Sequence, residues 1–184
     1  RLRQICCDPN LCFENYEGET SKLDACMELC RAMVENGHQI LLFSQFTSML
    51  DRIRARLDEA HISSFTLQGS TTKEKRAKLV KAFNAGAASV FLISLKAGGT
   101  GLNLTAADIV IHFDPWWNQA AQDQATDRAH RIGQQAHVQV YKLIAKDTIE
   151  EKILELQEKK AALMDTISGA EDGGILNMSK EDLL

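Results

Sequence analysis

The hydrophobic residues of the first 145 positions fall into short continuous runs that alternate with amphipathic segments. Continuous apolar runs predict buried strands, and segments whose apolar residues recur every three or four positions predict helices. The predicted strands cover residues 38–44, 62–67, 89–94, 109–113 and 137–144. The predicted helices cover residues 21–35, 47–60, 71–84 and 118–131. Strands that are apolar throughout are typical of a parallel sheet covered on both faces, so this order predicts an α/β three-layer sandwich with a mainly parallel sheet.

Two of the predicted helices begin with a capping-box pattern, in which a hydroxyl residue is followed three positions later by a carboxylate. Ser21 with Asp24 marks the first of them, and Thr71 with Glu74 marks the third. Gly37 follows the first helix and predicts where it ends.

The pattern changes after Asp147, where a long charged helix is predicted over residues 148–167. Ile149, Ile153 and Leu156 lie along one face of this helix and form a narrow apolar stripe. A helix with so narrow a stripe usually braces a neighbouring surface instead of filling a core.

Composition limits the classes of function. The chain has 184 residues, of which 45% are hydrophobic and 25% charged, with a net charge of −4. This balance excludes a protein held to DNA by bulk positive charge, so any nucleic-acid contact has to come from local groups or from basic surface outside this chain. No run approaches the ~18 apolar residues of a membrane span, and no signal peptide opens the chain, so no membrane partner is expected.

The cysteines predict a reducing, intracellular setting: cytoplasm or nucleoid in a bacterium, nucleus in a eukaryote. There are five of them, an odd number without a secretory signal. A zinc site would pair Cys7 and Cys12 with Cys26 and Cys30. Cys26 and Cys30, however, stand one turn apart in a predicted helix, where cysteine is a small core residue. We therefore favour buried thiols and expect no metal site.

Residues 58–61 read Asp-Glu-Ala-His, the letters of an acidic helicase box. Such a box works at the end of a buried strand, where its carboxylates face Mg²⁺ and the attacking water. Residues 51–57 instead form a charged amphipathic segment, and no Gly-Lys dipeptide of a phosphate-binding loop occurs in the chain. We interpret 58–61 as a helix end followed by a turn. With no complete ATP site, and with Arg1 as its first residue, the chain is expected to be part of a longer protein.

The strongest candidate chemistry lies on the predicted helix 118–131. Gln124, Arg128 and Arg131 are spaced so that they share one stripe of that helix. Arginine presents a planar, permanently charged fork that suits phosphate oxygens. From the residues alone, a surface salt-bridge face with Asp123 and Asp127 is supported equally well.

Residues 128–134, Arg-Ala-His-Arg-Ile-Gly-Gln, resemble the sixth helicase motif of the Swi/Snf-type DNA-dependent ATPases of helicase superfamily two. This resemblance implies that Arg128 and Arg131 are catalytic arginine fingers, donated to an ATP molecule that a first lobe binds with Mg²⁺. An arginine finger contributes roughly 10³–10⁵ in rate, because it stabilises charge on the phosphoryl oxygens in the transition state. Gln124 is then a nucleotide-binding residue.

A glycine-rich loop, residues 94–104, follows a predicted buried strand. It therefore lies at the carboxyl end of the strand, where open α/β sheets bind ligands, although a tight turn explains the glycines as well. The spacing Gly98-Gly99-x-Gly101 does not fit a dinucleotide fingerprint. The loop resembles the fifth motif of the same family. That resemblance implies DNA contact or coupling by Ser94, Lys96, Ala97, Gly98 and Gly99, and nucleotide contact by Gly101 and Asn103.

Two adjacent tryptophans, Trp116 and Trp117, follow the strand 109–113. They predict either a stacking surface or partial burial against the next helix. Residues 113–118 resemble the family's Asp-Pro-x-Trp-Asn-Pro stretch, which implies that Trp117 lies near DNA. Gln119 stands where that stretch has its second proline.

Residues 39–46 resemble the fourth motif of the family. The resemblance implies that Ser44 and Gln45, at a strand end, face the DNA track.

Residues 67–71 and the helix after them resemble the next block of the family. Gly69 and Ser70 are then DNA-binding residues, and the capped helix N-terminus can receive a backbone phosphate. Arg76 is either part of this contact or a structural ion-pair residue.

The ends of the chain extend the resemblance over essentially its whole length. Residues 2–9 resemble the link between the two lobes, with Cys7 and Asp8 where the family has Asn and His, and the helix after Asp147 resembles the C-terminal brace. The expected organisation is a link remnant at 1–20, a helicase C-terminal RecA-like lobe at 21–145, and a brace helix with tail at 146–184.

By this resemblance the chain is the second motor lobe of an ATP-dependent translocase or remodeller on double-stranded DNA. Its partners are the DNA and the N-terminal lobe of the same protein. Two other interpretations stay open at this point: a non-catalytic interaction module that keeps the fold, and a nucleotide- or NAD-binding regulator based on the glycine loop.

Overall fold

The computed structural model describes residues 1–95, 97, 102–126 and 138–171. Five strands form one sheet: β1 (Ile40–Ser44), β2 (Ser64–Leu67), β3 (Val90–Ser94), β4 (Ile109–His112) and β5 (Gln139–Lys142). The helices are α1 (Leu2–Cys7), α2 (Ser21–Glu35), α3 (Thr47–Glu59), α4 (Lys73–Asn84), α5 (Gln119–Thr126) and α6 (Ile149–Glu171), with a 3-10 turn at Pro9–Leu11. The strand order is β2-β3-β1-β4-β5, and every neighbouring pair is parallel. The predicted α/β sandwich with a parallel sheet is confirmed.

The continuous apolar runs are the strands buried on both faces. Every residue of β1, β3 and β4 is buried. Ile40 and Leu42 of β1 pack with α2 and α3 on one side of the sheet, and Leu41 and Phe43 pack with Phe83 of α4 on the other. Successive residues of a strand point to opposite faces, so a strand covered on both sides has to be apolar at every position.

The helix ends depart from the capping pattern of the sequence. Helix α2 spans the predicted residues and ends at Glu35; Gly37, two residues later, has a φ of 81° in the left-handed region and turns the chain away from the helix. At the start of α4, the side chain of Thr72 accepts a bond from the Lys75 amide at 3.3 Å. The predicted cap, Thr71, instead accepts from the Gln68 amide at 3.1 Å and closes the turn after β2. The predicted cap was therefore wrong by one residue. Ser21 lies inside α2, whose N-cap, Thr20, makes no side-chain capping bond, so a Ser21 cap was also wrong.

The segment 58–61 is a helix end followed by a turn, as predicted. Asp58 and Glu59 belong to the last turn of α3, and His61 has a φ of 56°. The Ile62 amide then donates to the Leu57 carbonyl at 2.9 Å, which is why β2 begins two residues later than predicted.

The cysteines of α2 are core residues. Cys26 and Cys30 are fully buried against α3 and the sheet, as the helical spacing predicted, and all five cysteines are free thiols. Among the described residues no helix is long and apolar enough to cross a membrane.

Both ends of the described chain pack onto this body. Helix α1 contacts α6 and α2, and the buried Asp8 pairs with Arg52 of α3 at 2.5 Å. Lys22 of α2 pairs with Glu150 of α6, also at 2.5 Å. The division into link, lobe and brace stays a prediction.

Candidate nucleic-acid interface

The carboxyl ends of the parallel strands meet along one edge of the sheet, which we call the carboxyl edge. Ser44 ends β1 and Ser94 ends β3, and the two are register partners. Gly69 and Ser70 follow β2, and residues 114–117 follow β4. The parallel topology therefore brings together predicted DNA-binding residues from four strands at the edge where open α/β sheets bind ligands.

Asp114 is the buried centre of this edge. The Ser44 hydroxyl donates to its Oδ1 at 2.5 Å, and the side-chain amide of Gln45 donates to its Oδ2. The Ser44 side chain is 0% exposed, and its hydroxyl is used to hold Asp114. The predicted DNA contact of Ser44 stays a prediction. Asp114 itself was not singled out from the sequence, although it stands in the Phe-Asp-Pro-Trp segment quoted for the tryptophans.

The environment of Asp114 pulls its pKa in two directions. Burial raises the pKa of this carboxyl above its ordinary value. The hydrogen bonds from Ser44 and Gln45 oppose that rise, as does the charge of Lys22. A buried carboxyl with several donors is a fixed anchor for the backbone that carries it.

The two tryptophans have different surroundings. Trp116 is half-buried, and its amide donates to the Gln122 side chain of α5 at 3.4 Å. Trp117 is 51% exposed, with the guanidinium carbon of Arg3 5.9 Å from its ring centroid. Trp116 therefore fits the burial interpretation, and for Trp117, whose ring is exposed, a stacking role stays a prediction. The exposed ring, Trp117, is the one that the resemblance places near DNA.

The turn after β2 presents small residues to solvent. Gly69 and Ser70 are exposed, and a Cβ added to Gly69 would meet nothing within 4 Å. The turn leads directly into the capped N-terminus of α4, where backbone amides point outward. Arg76, one turn into this helix, donates to the Ala97 carbonyl at 3.2 Å and so ties α4 to the segment after β3.

Both described ends of the glycine loop are held by side chains. Ser94 is buried, and its hydroxyl accepts from the Ala97 amide at 3.3 Å. Asn103 is exposed, and its carbonyl accepts from the Asn84 side chain at 2.9 Å. Asn84 also accepts from the Ala106 amide at 3.3 Å, so it fixes this stretch against the end of α4. The predicted residues Lys96, Gly98, Gly99 and Gly101 lie outside the described residues.

The helix that leads to the arginine pair is anchored to β4. The His112 ring is buried, stacks on Phe43, and has its Nε2 3.0 Å from Thr126 Oγ1. Thr126 is the last residue of α5, which contains Gln124. Arg128 and Arg131 lie outside the described residues, as does the side chain of Gln124.

The chain matches a family of known proteins. The model of the helicase conserved C-terminal domain matches residues 21–133. An uncharacterized ATP-dependent helicase of Mycoplasma pneumoniae is 40% identical over 188 residues, covering 100% of this chain and 18% of that protein. The ATP-dependent helicase rhp16 of Schizosaccharomyces pombe is 46% identical over 144 residues, covering 78% of this chain and 17% of that protein.

A solved structure shows the same fold. The C-terminal part of the Fun30 ATPase domain superposes with a TM-score of 0.72 and 38% sequence identity, covering 84% of this chain and 52% of that one. This similarity confirms the RecA-like sandwich. The chain spans less than a fifth of the two relatives' length, 18% and 17%. It belongs to the helicase conserved C-terminal domain family, as a C-terminal RecA-like lobe of the Swi/Snf type.

Proposed function

We propose that this chain is the second motor lobe of an ATP-dependent translocase on double-stranded DNA. The observation that carries the proposal is the convergence of four strand ends at the carboxyl edge, with Trp117, Gly69 and Ser70 exposed there. Contacts from such exposed residues to the DNA backbone are largely independent of the base sequence. In the proposal these local contacts, and not bulk positive charge, hold the edge to DNA, because the chain has a net charge of −4.

Arg128 and Arg131 are the catalytic residues of the proposal. They act on an ATP molecule bound mainly by the first lobe, with Gln124, Gly101 and Asn103 on the nucleotide side of this lobe. In that arrangement the two guanidinium groups neutralise charge on the phosphoryl oxygens as the bond to the leaving group breaks. The bond from His112 to Thr126 supports this assignment, because it fixes the helix that precedes Arg128.

No metal ligand is assigned to this chain. Among the described residues no group of three or more His, Cys, Asp or Glu side chains is arranged to hold a metal ion. Asp58 and Glu59 each lie 3.8 Å from an arginine nitrogen of the same helix, on its exposed side. In the proposal Mg²⁺ accompanies ATP in the first lobe, where it neutralises phosphate charge.

The isolated chain should hydrolyse ATP negligibly, with or without duplex DNA, because the phosphate-binding loop and the acidic box belong to the first lobe. Steady-state phosphate release by the purified chain, compared with the full-length protein at the same concentration, measures this. Robust DNA-stimulated turnover by the chain alone contradicts the assignment as one half of a motor.

A further inference from the structure

The backbone of residues 114–117, which we call the Trp loop, is held by side chains from three distant parts of the chain. Gln45, after β1, donates to the Pro115 carbonyl at 3.3 Å. Arg3 of α1 donates to the same carbonyl at 2.6 Å, and Gln157 of α6 donates to the Trp116 carbonyl. Successive carbonyls of the loop are thus bound by the helices at the two ends of the described chain.

Arg3 holds both the backbone and the exposed ring of the loop. Its guanidinium carbon lies 5.9 Å from the Trp117 centroid and 6.0 Å from the Phe46 centroid, while its Nη2 reaches Pro115. A guanidinium within about 6 Å of an aromatic ring is attracted to the ring, and the hydrogen bond to the Pro115 carbonyl fixes where this charge lies, so the two contacts together favour one orientation of the Trp117 ring. Lysine provides a charge but neither the plane nor the fork.

Gln157 is the residue by which α6 faces the loop. It is 5% exposed, whereas Leu156 beside it is 52% exposed. The buried stripe of α6 therefore runs from Ile153 to Gln157. The side-chain amide of Gln157, at the end of this stripe, donates a hydrogen bond to the Trp116 carbonyl. A buried amide in a charged helix costs free energy unless it is hydrogen-bonded, so its position is set by the Trp116 carbonyl.

We propose that Arg3 and Gln157 are positioning residues that present the Trp117 indole at the carboxyl edge. Through them, any shift of α1 or α6 relative to the sheet changes the orientation of an aromatic ring that contacts DNA. This inference rests on the proposed function, because it takes DNA as the partner of Trp117. Beyond the proposed function, it states that α1 and α6 set the DNA affinity of this loop.

The test uses the full-length protein and the duplex DNA concentration that gives half-maximal ATPase stimulation. Arg3→Met and Gln157→Leu should each raise that concentration on the order of tenfold, with a smaller change in kcat at saturating DNA. Arg3→Lys should recover only part of the loss. Arg1→Met and Lys159→Leu are matched controls on exposed positions of the same two segments and should behave as the wild type.

Repeating both substitutions in a Trp117→Ala background separates positioning from general damage. If Arg3 and Gln157 act through the ring, they have little further effect once the ring is gone, as coupled residues do in a double-mutant cycle. Equal effects in both backgrounds, or no effect of either substitution on the wild type, overturn the inference. If Trp117→Ala itself leaves the DNA dependence unchanged, the inference fails together with the proposed DNA contact of this loop. If only the Arg3 and Gln157 substitutions are silent, the inference fails alone.

Discussion

His112 is the single residue whose protonation should affect the fold most clearly. Burial lowers the pKa of its imidazole to about 4, and the charge of Lys142 acts in the same direction. The ring is therefore neutral over the usual range of pH. In that state it stacks on Phe43, 5.5 Å between centroids, and bonds to Thr126.

Stability should fall as the pH is lowered from about 6.5, the pKa of an unfolded histidine, towards about 4. Within this window the unfolded chain binds the proton and the folded chain does not, so acidification favours unfolding. The full effect is on the order of 3 kcal/mol, since one pKa unit corresponds to about 1.4 kcal/mol. Urea unfolding of the wild type and His112→Gln at about pH 7 and about pH 4.5 measures it.

The substitution should reduce the stability lost between the two pH values. Asp114, whose pKa is raised, changes stability in the opposite direction on acidification, and its contribution cancels in the comparison because both proteins keep it. Equal losses in wild type and variant would show that His112 is not the group responsible.

Ser44 illustrates what the sequence can say about a single residue. Its place at the end of an apolar run located it at the carboxyl edge. The direction of its hydroxyl could not be predicted, because its partner is Asp114, 70 positions away. Asp114, Arg3 and Gln157 were missed for the same reason: their partners lie far away in the sequence, and such long-range contacts leave no periodic signal.

At the scale of elements, a nearly buried ion pair between Lys22 and Glu150 joins α6 to α2. Glu150, 1% exposed, accepts from Lys22 at 2.5 Å and from the Ala145 amide at 2.8 Å. Lys22 also lies over the Phe113 ring at 5.1 Å from its centroid. The pair therefore joins α2, α6 and the segment after β4 at one point.

Glu150→Gln should destabilise the protein by on the order of 3–5 kcal/mol, because it leaves the Lys22 charge without its partner in a site with little access to water. Glu158→Gln, an exposed position on the same helix, is the control and should change stability by less than about 0.5 kcal/mol. Urea unfolding compares the three proteins. Similar stabilities for wild type and Glu150→Gln would mean that the pair does not hold α6.

The elements differ in how well the sequence predicts them. The span of α2 and the carboxyl end of β1 follow from apolar periodicity, because both are covered by the core. Strand β1 begins at Ile40, two residues later than predicted. The stripe of α6 was predicted less well: Leu156 was expected inward and is exposed, and Gln157 is buried instead. Apolar periodicity cannot detect a buried amide whose partner is the Trp116 carbonyl. The cap of α4 shifted by one residue because Thr71 was needed in the turn before it.

At the scale of the whole molecule, the fold was predictable from the sequence, and the proposed activity is divided between two lobes. Alternation of strand and helix, with central strands that are continuous apolar runs, is enough to give a parallel sheet and hence a carboxyl edge. The topology alone therefore predicts that residues from separate motifs meet at this edge, even where their individual contacts cannot be predicted. In the proposal the catalytic step needs a second lobe as well, so the isolated chain is expected to contribute groups to ATP hydrolysis without completing the reaction.

The central claim is that this lobe donates Arg128 and Arg131 to ATP in the full-length protein. Each Arg→Ala substitution should lower kcat at saturating ATP and duplex DNA by roughly 10³ or more, since each removes a charge that acts mainly in the transition state. Arg54→Ala, on the exposed side of α3, is the matched control and should keep wild-type turnover. Single-turnover ATP hydrolysis by the three variants and the wild type is the direct measurement. Turnover within a few-fold of the wild type in both arginine variants, with DNA binding intact, would contradict the claim and favour a non-catalytic module.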